Sequence, residues 1–386
     1  MNYAELISIV IFLIFLSLFL FFNRKKLKIQ KIIFPLFYLI MLRTSVGLNF
    51  MEKYGKKYRD LLVFIGNCFI GFAVLGMIFI FIMLFYTIVK SLFIPADIPP
   101  VSPVLPYVPI PGLGSIGFWH WIIAIFVLAV SHEFAHGIIA VANKIKIKSS
   151  GPAFFSVFIP VIPAAFVEPD EKKFQKKSDI KKYSVYSAGP VTNIILGILL
   201  MVVVVNLILV PIENHYAKPF ALEVTSQEDP DLPAYGMFEE PTLISYVNGE
   251  KITDRNAFLE KMFCVRPGEE IVLANDEKEY SITTEEKDGK AVLGILFKEK
   301  RQWPSERAGT IFSWIKDLIK WTALLNIFVG LANLLPLGPI DGGLILKTLL
   351  ERLFKDKKKA MRWWAGISIF TLLLLVIGLG MYLFTL

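Results

Sequence analysis

The sequence predicts a polytopic, mostly α-helical membrane protein that carries a small extracytoplasmic α+β domain. Its 386 residues are 55% hydrophobic, and its mean hydropathy of +0.59 is above that of ordinary soluble proteins. Several apolar runs reach the length of about 20 residues that crosses a bilayer. One long segment, 213–310, has a different character, because it is polar, acidic and rich in short strand patterns.

Six apolar segments are predicted to span the membrane. The first lacks the basic start and the small-residue cleavage site of a signal peptide, so we interpret it as a retained span. A shorter apolar segment at 341–354 cannot cross a bilayer alone, which predicts a buried or interfacial helix. The six predicted spans are roughly 5–22, 62–88, 117–142, 185–211, 312–336 and 363–385.

The distribution of basic residues predicts the orientation of these spans. Residues 23–60 contain ten basic and two acidic residues, whereas residues 89–116 contain a single basic residue, Lys90. Two further basic loops lie at 144–182 and 352–362. With six spans, all three basic loops fall on one side, which the positive-inside rule makes cytoplasmic. We therefore expect a multi-pass protein of the cell membrane with both termini outside.

The net charge of +8 comes from these loops beside apolar runs. This pattern is typical of contact with a lipid bilayer, and it excludes a nucleic-acid partner as the reason for the charge. We predict four regions. They are an N-terminal two-span region at 1–116, a first part of a membrane core at 117–212, the extracytoplasmic domain at 213–310 and a second part of the core at 311–386.

The segment 213–310 holds 20 acidic and 12 basic residues. Asn248-Gly249 indicates a tight turn, and a helix is expected at Asp254–Met262 with Asp254 as its N-cap. The segment is either a generic α+β domain or a domain similar to PDZ domains, with "LPAYGM" (232–237) at the position of the carboxylate-binding loop. PDZ domains bind peptides by adding a strand to a sheet edge. Its expected strands lie at 243–252, 269–276, 278–285 and 291–297.

The third span contains the stretch "AVSHEFAHGI" (129–138). His132 and His136 are four residues apart, so they lie on one helix face with a rise of about 6 Å between them. Both imidazoles can therefore bind one ion, and Glu133 can act on a metal-bound water as a general base. This is the HExxH arrangement of zinc hydrolases. Ionisable residues are expensive within a membrane and usually have a function there.

A catalytic zinc site needs a third protein ligand. His120 lies about 18 Å away along the same helix, and His215 belongs to the acidic segment. Asp317 is near the outer end of the fifth span. Asp341 lies in "NLLPLGPIDGG" (333–343), where prolines and glycines should break the helix. Non-helical backbone at membrane depth is tolerated where it is buried in protein or lines a cavity. Asp341 on such a turn could approach a metal held by another helix. The alternative is an interfacial turn with a solvated Asp341.

Three motifs in this order resemble the site-2 protease family of intramembrane zinc metalloproteases. They are HEFAH at 132–136, "SAGPVTNIILG" at 187–197, which is similar to the family motif G-P-x-x-N, and N-x-x-P-x-x-x-x-D-G at 333–342. Relatives in that family also carry a PDZ-like insert between the same spans. The first two spans and the loop at 89–116 match no motif of the family.

The resemblance implies roles for individual residues. One Zn²⁺ ion would be held by His132, His136 and Asp341, and Glu133 would be the general base. Two asparagines, Asn193 and Asn333, would be supporting polar groups near the substrate.

Two irregular segments have alternative interpretations. Residues 149–169 are apolar but contain four prolines, so they form either a buried loop or a re-entrant hairpin whose free edge receives the substrate as an added strand. The Pro/Gly-rich loop at 101–117 is a lid or a connector, and we favour the connector.

The sequence thus predicts an intramembrane zinc metalloprotease that hydrolyses a peptide bond in or near the transmembrane helix of a membrane protein. Its expected partners are transmembrane substrates, the bilayer and a peptide C-terminus in the PDZ-like groove. One alternative is a divalent-metal transporter, although a transport pathway would repeat ligands at several depths. A second alternative is a metal-binding membrane scaffold without activity.

Overall fold

The computed structural model describes most of the chain, and its contacts divide the chain into two compact units. The first unit consists of residues 1–205 and 317–386, and the second of 206–316. The predicted extracytoplasmic segment 213–310 lies inside the second unit. The described residues are 3–33, 37–94, 99–110, 113–157, 159–227, 229–238, 240–287, 289–354 and 356–385.

Long helices dominate the first unit. A π-helix, Leu200–Leu209, follows the helix Asp179–Leu199. The helices are α1 Tyr3–Phe22, α2 Leu48–Lys57, α3 Arg59–Phe93, α4 Phe118–Ala142, α5 Glu171–Gln175, α6 Asp179–Leu199, α7 Val210–Tyr216, α8 Arg255–Phe263, α9 Glu306–Ala332, α10 Asp341–Phe354 and α11 Lys357–Thr385.

Five segments of the described residues are long and apolar enough to cross a membrane. They coincide with five of the six predicted spans, and α10 forms the short helix expected at 341–354. The five segments are Glu5–Phe22, Arg59–Phe93, Phe118–Ala142, Asp179–Tyr216 and Lys357–Leu383.

The remaining predicted span, 312–336, falls in α9 and is not among these five. The first half of α9 contains Lys316, Asp317 and Lys320, and three charges within one span length oppose insertion into lipid. A six-span topology, and the orientation that depends on it, stay predictions.

The segment predicted as a loop or a hairpin is a hairpin, and it belongs to a larger sheet. Four antiparallel strands pair in the order β1-β2-β3-β4. Strands β1 and β2 lie in the segment predicted as a basic loop, and the partner that joins them to the sheet, β3, lies more than 100 residues after β2 in the sequence. The strands are β1 Leu27–Ile33, β2 Phe37–Leu42, β3 Ile147–Val157 and β4 Ile159–Pro169.

Strand β3 is flanked on both sides, so the edge strand of the hairpin is β4. Pro163 fits this arrangement, because it lies on β4 opposite Phe154, and an edge strand tolerates a residue without a backbone donor.

Helix α2 packs across the C-terminal half of α4. Met51 is fully buried, and its sulfur lies against the backbone of Gly137, one residue after the second histidine of HEFAH. Gly55 of α2 similarly lies against Val141. The long central helix is therefore covered by α2 on one face and contacted by β4 and α6 on others.

The second unit is a small α+β structure with its own core of buried Leu, Ile, Val and Phe side chains. The predicted helix is confirmed as α8, where Asp254 Oδ1 accepts a hydrogen bond from the Ala257 N–H at 2.9 Å. The predicted tight turn is confirmed as well, since Asn248 and Gly249 have φ of 49° and 77°. The strands are β5 Lys218–Ser226, β6 Thr242–Ile244, β7 Tyr246–Val247, β8 Glu250–Lys251, β9 Glu270–Ala274, β10 Glu279–Thr283, β11 Glu285–Lys287, β12 Lys290–Val292 and β13 Ile295–Gln302.

Candidate metal centre

The two histidines of HEFAH point the same way from helix α4. The Nε2 atoms of His132 and His136 lie 3.0 Å apart, with the ring planes at 78° to each other. The regular spacing of four residues produces this convergence, because α4 is helical from Phe118 to Ala142. Two imidazole nitrogens at this distance need a proton or a cation between them.

Asp341 comes to the same point from a distant part of the chain. Helix α9 ends at Ala332, an irregular turn follows, and Asp341 is the first residue of α10. Its Oδ2 lies 3.0 Å from Nε2 of His132 and 3.4 Å from Nε2 of His136. The break predicted from the prolines and glycines of 333–343 is thus confirmed.

The three ligand atoms have the spacing of a metal site. Among the described residues, His132, His136 and Asp341 form a group that could hold a metal ion. A tetrahedral ion with bonds of about 2.0–2.2 Å separates its ligands by roughly 3.3 Å, and the observed separations are 3.0–3.4 Å. The side chains are 12–16% exposed, so the centre is largely enclosed.

Hydrogen bonds from α6 orient both imidazoles. His136 Nδ1 lies 2.7 Å from the carbonyl oxygen of Val185, so the ring proton sits on Nδ1 and the lone pair of Nε2 faces the centre. His132 Nδ1 lies 3.3 Å from the side-chain amide of Asn193. That amide is completely buried and also bonds to Ser131 Oγ at 2.9 Å.

Glu133 is held by the edge strand of the sheet. Its Oε2 accepts a hydrogen bond of 2.9 Å from the backbone N–H of Val167, which lies in β4. One carboxylate oxygen is therefore fixed and the other remains available. The bond also fixes the edge of β4 beside the histidine pair.

Comparison with known proteins shows the family of the chain. A sequence profile of peptidase family M50 matches residues 120–375, well over half of the chain. The chain belongs to peptidase family M50, the site-2 protease family. An uncharacterized protein of Methanocaldococcus jannaschii is also similar, with 29% identity over 367 residues that cover 93% of this chain and 88% of the relative.

The family predicted from the three motifs is thereby confirmed. Members of M50 are membrane metalloproteases, so this M50 peptidase is a hydrolase of that class, and the enclosed His/His/Asp group is compatible with its metal. The matched region contains HEFAH, the "SAGPVTNIILG" segment and the turn before α10.

In this M50 peptidase, Gly189 allows α6 to approach the histidines. A Cβ atom added at Gly189 would lie 2.6 Å from both Cε1 and Nε2 of His132, and it would also meet His136. Any side chain here would therefore displace the ligands. The "SAGPVTNIILG" segment contributes both this close approach and the amide of Asn193, and the sequence analysis assigned only the asparagine.

Helix α11 supports the turn that carries Asp341. The indole N–H of Trp364 donates to the Gly343 carbonyl at 2.8 Å, and the Trp364 ring fills the space beside Gly338. Ser368 Oγ accepts a hydrogen bond of 3.1 Å from the Gly338 N–H. Neither residue could be predicted from the sequence, since nothing in the apolar pattern of α11 marks them.

Asn333 lies at the start of the turn. Its carbonyl accepts a hydrogen bond of 2.8 Å from the Gly342 N–H, which closes the loop just before α10. Gly342 has no room for a side chain, because the carbonyls of Leu334 and Leu335 occupy that space. The backbone of Asn333 is thus part of the support of Asp341, and its half-buried side chain extends from the turn.

Proposed function

We propose that this M50 peptidase is an intramembrane zinc metalloprotease that cleaves a peptide bond in or near the transmembrane helix of a membrane protein. The observation that carries this proposal is the convergence of His132 Nε2, His136 Nε2 and Asp341 Oδ2 beside Glu133. The histidines and Glu133 belong to a candidate membrane span. The bond to be cleaved would therefore be reached within the depth of the bilayer.

His132, His136 and Asp341 would hold one Zn²⁺ ion. Two imidazoles and one carboxylate are a common ligand set of catalytic zinc, which keeps a fourth position open. Coordination through Nε2 leaves the ring proton of His132 on Nδ1. We therefore assign the amide oxygen of Asn193 to face Nδ1 and its nitrogen to face Ser131 Oγ, since the two amide orientations are interchangeable in the hydrogen-bond network.

Glu133 would move the proton in the reaction. When bound, zinc supplies Lewis acidity, which polarises the scissile carbonyl and lowers the pKa of water. The Glu133 carboxylate accepts a proton from the attacking water and then delivers it to the leaving amine. The hydrogen bond from Val167 holds one carboxylate oxygen, so the other oxygen is positioned for this transfer.

The substrate would bind as an added strand on β4. A transmembrane helix satisfies its own backbone groups, so cleavage requires local unwinding and new hydrogen-bond partners. β4 ends the sheet, with no further strand among the described residues. Alternate residues of an antiparallel strand turn their backbone groups away from the partner. Val167 does so toward Glu133, and Ala165, two residues earlier, shares this outer edge.

Removing one edge donor tests the strand addition. Ala165→Pro deletes the outward N–H at a position where the sheet itself needs none, so we expect cleavage to fall by about tenfold with zinc content unchanged. Ala165→Val keeps the N–H and is the matched control. Equal activity of the two variants would exclude pairing at this edge.

The side-chain amide of Asn333 would be a second contact for the unwound substrate. It makes no hydrogen bond to the described residues, is half-buried, and extends from the turn that positions Asp341. Asn333→Ala is expected to raise KM for a membrane substrate while metal affinity stays unchanged, because the backbone carbonyl that supports the turn remains.

The second unit would select substrates. We propose that it is a PDZ-like domain that excludes bulky ectodomains or binds the new C-terminus left by an earlier protease. Its separate core supports an independent module. Deletion of 220–305 should broaden the range of cleaved substrates, and unchanged rate and selectivity would remove this role.

Metal restoration distinguishes the protease from a metal transporter. A single ligand group among the described residues supports catalysis, because a transport path needs several. Metal-stripped protein should cleave a single-span substrate after addition of Zn²⁺ but not of Mg²⁺, with one zinc per chain. Asp341→Ala should lose both zinc and cleavage. Zinc uptake into vesicles without any cleavage would favour the transporter.

A further inference from the structure

A basic cleft of the first unit lies apart from the metal centre. It has a volume of about 540 Å³ and opens between α2 and the junction of α4 with β3. Four lysines and one glutamate give its lining a net charge of +3, and the lining also has an apolar part. The charged residues of the lining are Glu52, Lys56, Lys144, Lys146 and Lys148.

Three of these lysines alternate with isoleucines in the sequence "KIKIK" (144–148). Exposure follows the same alternation, because Ile145 and Ile147 are buried whereas all three lysines are exposed. Lysines that line one cleft repel one another, so the arrangement favours a bound anion.

Acidic neighbours neutralise only part of this charge. Lys56 pairs with Glu52 at 2.5 Å, and Lys148 pairs with Asp170 at 3.5 Å. Lys144 and Lys146 form no ion pair with the described residues of the chain. Two cations of the cleft are thus available to a ligand.

The backbone of Lys144 is held in the left-handed region with φ of 60°. It follows the last turn of α4, a position where glycine is favoured because a side chain is disfavoured there. The backbone N–H of Lys144 donates a hydrogen bond to the Val141 carbonyl, and the backbone N–H of Ile145 donates one to the Ala140 carbonyl. The end of α4 therefore carries a lysine at a backbone conformation that favours glycine. Backbone strain of this kind is commonly retained at binding sites.

The apolar part of the cleft indicates an amphiphilic ligand. The half-buried side chains of Leu48 and Val141 line it beside the lysines. Because α4 is a candidate span that ends at Ala142, the cleft lies at the level where a bilayer presents its headgroups. We propose that the cleft binds the phosphate-bearing headgroup of an anionic phospholipid, with the glycerol and the first acyl carbons against the apolar wall.

This site is independent of the proposed proteolytic function, although it adjoins the same helix. Its two walls are α2, which packs on α4 at Gly137, and the start of the hairpin that ends near Glu133. A lipid bound between these walls would hold α2 against the catalytic helix, and it would raise the thermal stability of the whole protein by binding the native state.

Thermal unfolding with short-chain lipids tests the proposal. The purified full-length protein, freed of lipid in neutral detergent, is titrated with dihexanoyl phosphatidylglycerol, dihexanoyl phosphatidylcholine or inorganic phosphate at constant ionic strength. We expect the phosphatidylglycerol alone to raise the unfolding midpoint in a saturable manner. The double variant Lys144→Gly/Lys146→Gln keeps the backbone geometry and should weaken this response by about tenfold.

The control variant Lys172→Gln/Lys176→Gln removes the same charge from exposed lysines outside the cleft. It should respond like the wild type. Equal weakening in both double variants would overturn the proposal in favour of a diffuse charge effect. An equal response to phosphatidylcholine would also overturn it. A saturable response to inorganic phosphate of the same size, lost with Lys144 and Lys146, would overturn the lipid as ligand and identify a soluble phosphate compound instead.

Discussion

The two halves of the metal centre place their ligands by different means. Helix α4 carries His132 and His136, and helical periodicity places both on one face, where contacts from α6 orient the rings. Asp341 follows an irregular turn that hydrogen bonds and close packing from the end of α9 and from α11 hold in position. The spacing of the two histidines is a local signal that contacts from α6 refine, whereas the position of Asp341 depends on the packing of its whole turn and on contacts from α11. Substitutions should therefore affect the two halves differently.

Among substitutions that compare the two halves, a clash at the histidine half is expected to have the largest effect. Gly189→Ala would bring a methyl group to within 2.6 Å of His132, and a ligand shifted by about 1 Å can lose roughly 100-fold in rate. We expect losses of this size in cleavage and in metal affinity, measured by competition with a chelator. Gly71→Ala, in α3 with open space around it, is the control and should retain both.

A smaller loss of metal affinity is expected when the His132 ring loses the hydrogen-bond partner that orients it. Asn193→Ala removes the amide beside Nδ1, and loss of such a partner typically lowers metal affinity by about 10- to 100-fold. Asp341 is untouched by this change, so residual binding should persist. Wild-type metal affinity in this variant would show that the helix alone orients the ring.

The turn half should respond to changes in α11. Trp364→Phe keeps a ring beside Gly338 but removes the donor to the Gly343 carbonyl, a bond whose net value of about 1 kcal/mol corresponds to roughly fivefold in affinity. We expect metal affinity to fall by that factor. The control Trp363→Phe alters the neighbouring exposed residue and should leave metal affinity unchanged. An equal loss of metal affinity in both variants would indicate general destabilisation of α11.

The smallest effect belongs to Ser368→Ala. It removes the acceptor of the Gly338 N–H, and we expect about a twofold loss of metal affinity. Combined with Trp364→Phe, the loss should depart from additivity, since both residues support one turn. Strict additivity in a double-mutant cycle would mean that the two contacts act on the turn independently.

The same contrast explains what the sequence predicted and what it did not. The spacing of HEFAH and the prolines and glycines of 333–343 are local signals, and they predicted the segments that bring His132, His136 and Asp341 together. The pairing of β2 with β3 and the support of the turn by Trp364 and Ser368 join segments far apart along the chain. Apolar and basic patterns carry no information about such partners. The charges in the first half of α9 also show why hydropathy over 312–336 alone was an insufficient guide to a span.

The most direct test of the account is the role of Glu133. Wild type and Glu133→Gln are compared in cleavage of a single-span substrate, and the zinc content of each is measured on the same samples. We expect Glu133→Gln to retain one zinc per chain, because His132, His136 and Asp341 remain, while cleavage falls by about 1,000-fold for lack of a proton acceptor. A variant that keeps its zinc and cleaves at the wild-type rate would contradict the assignment of Glu133 and, with it, the proposed mechanism.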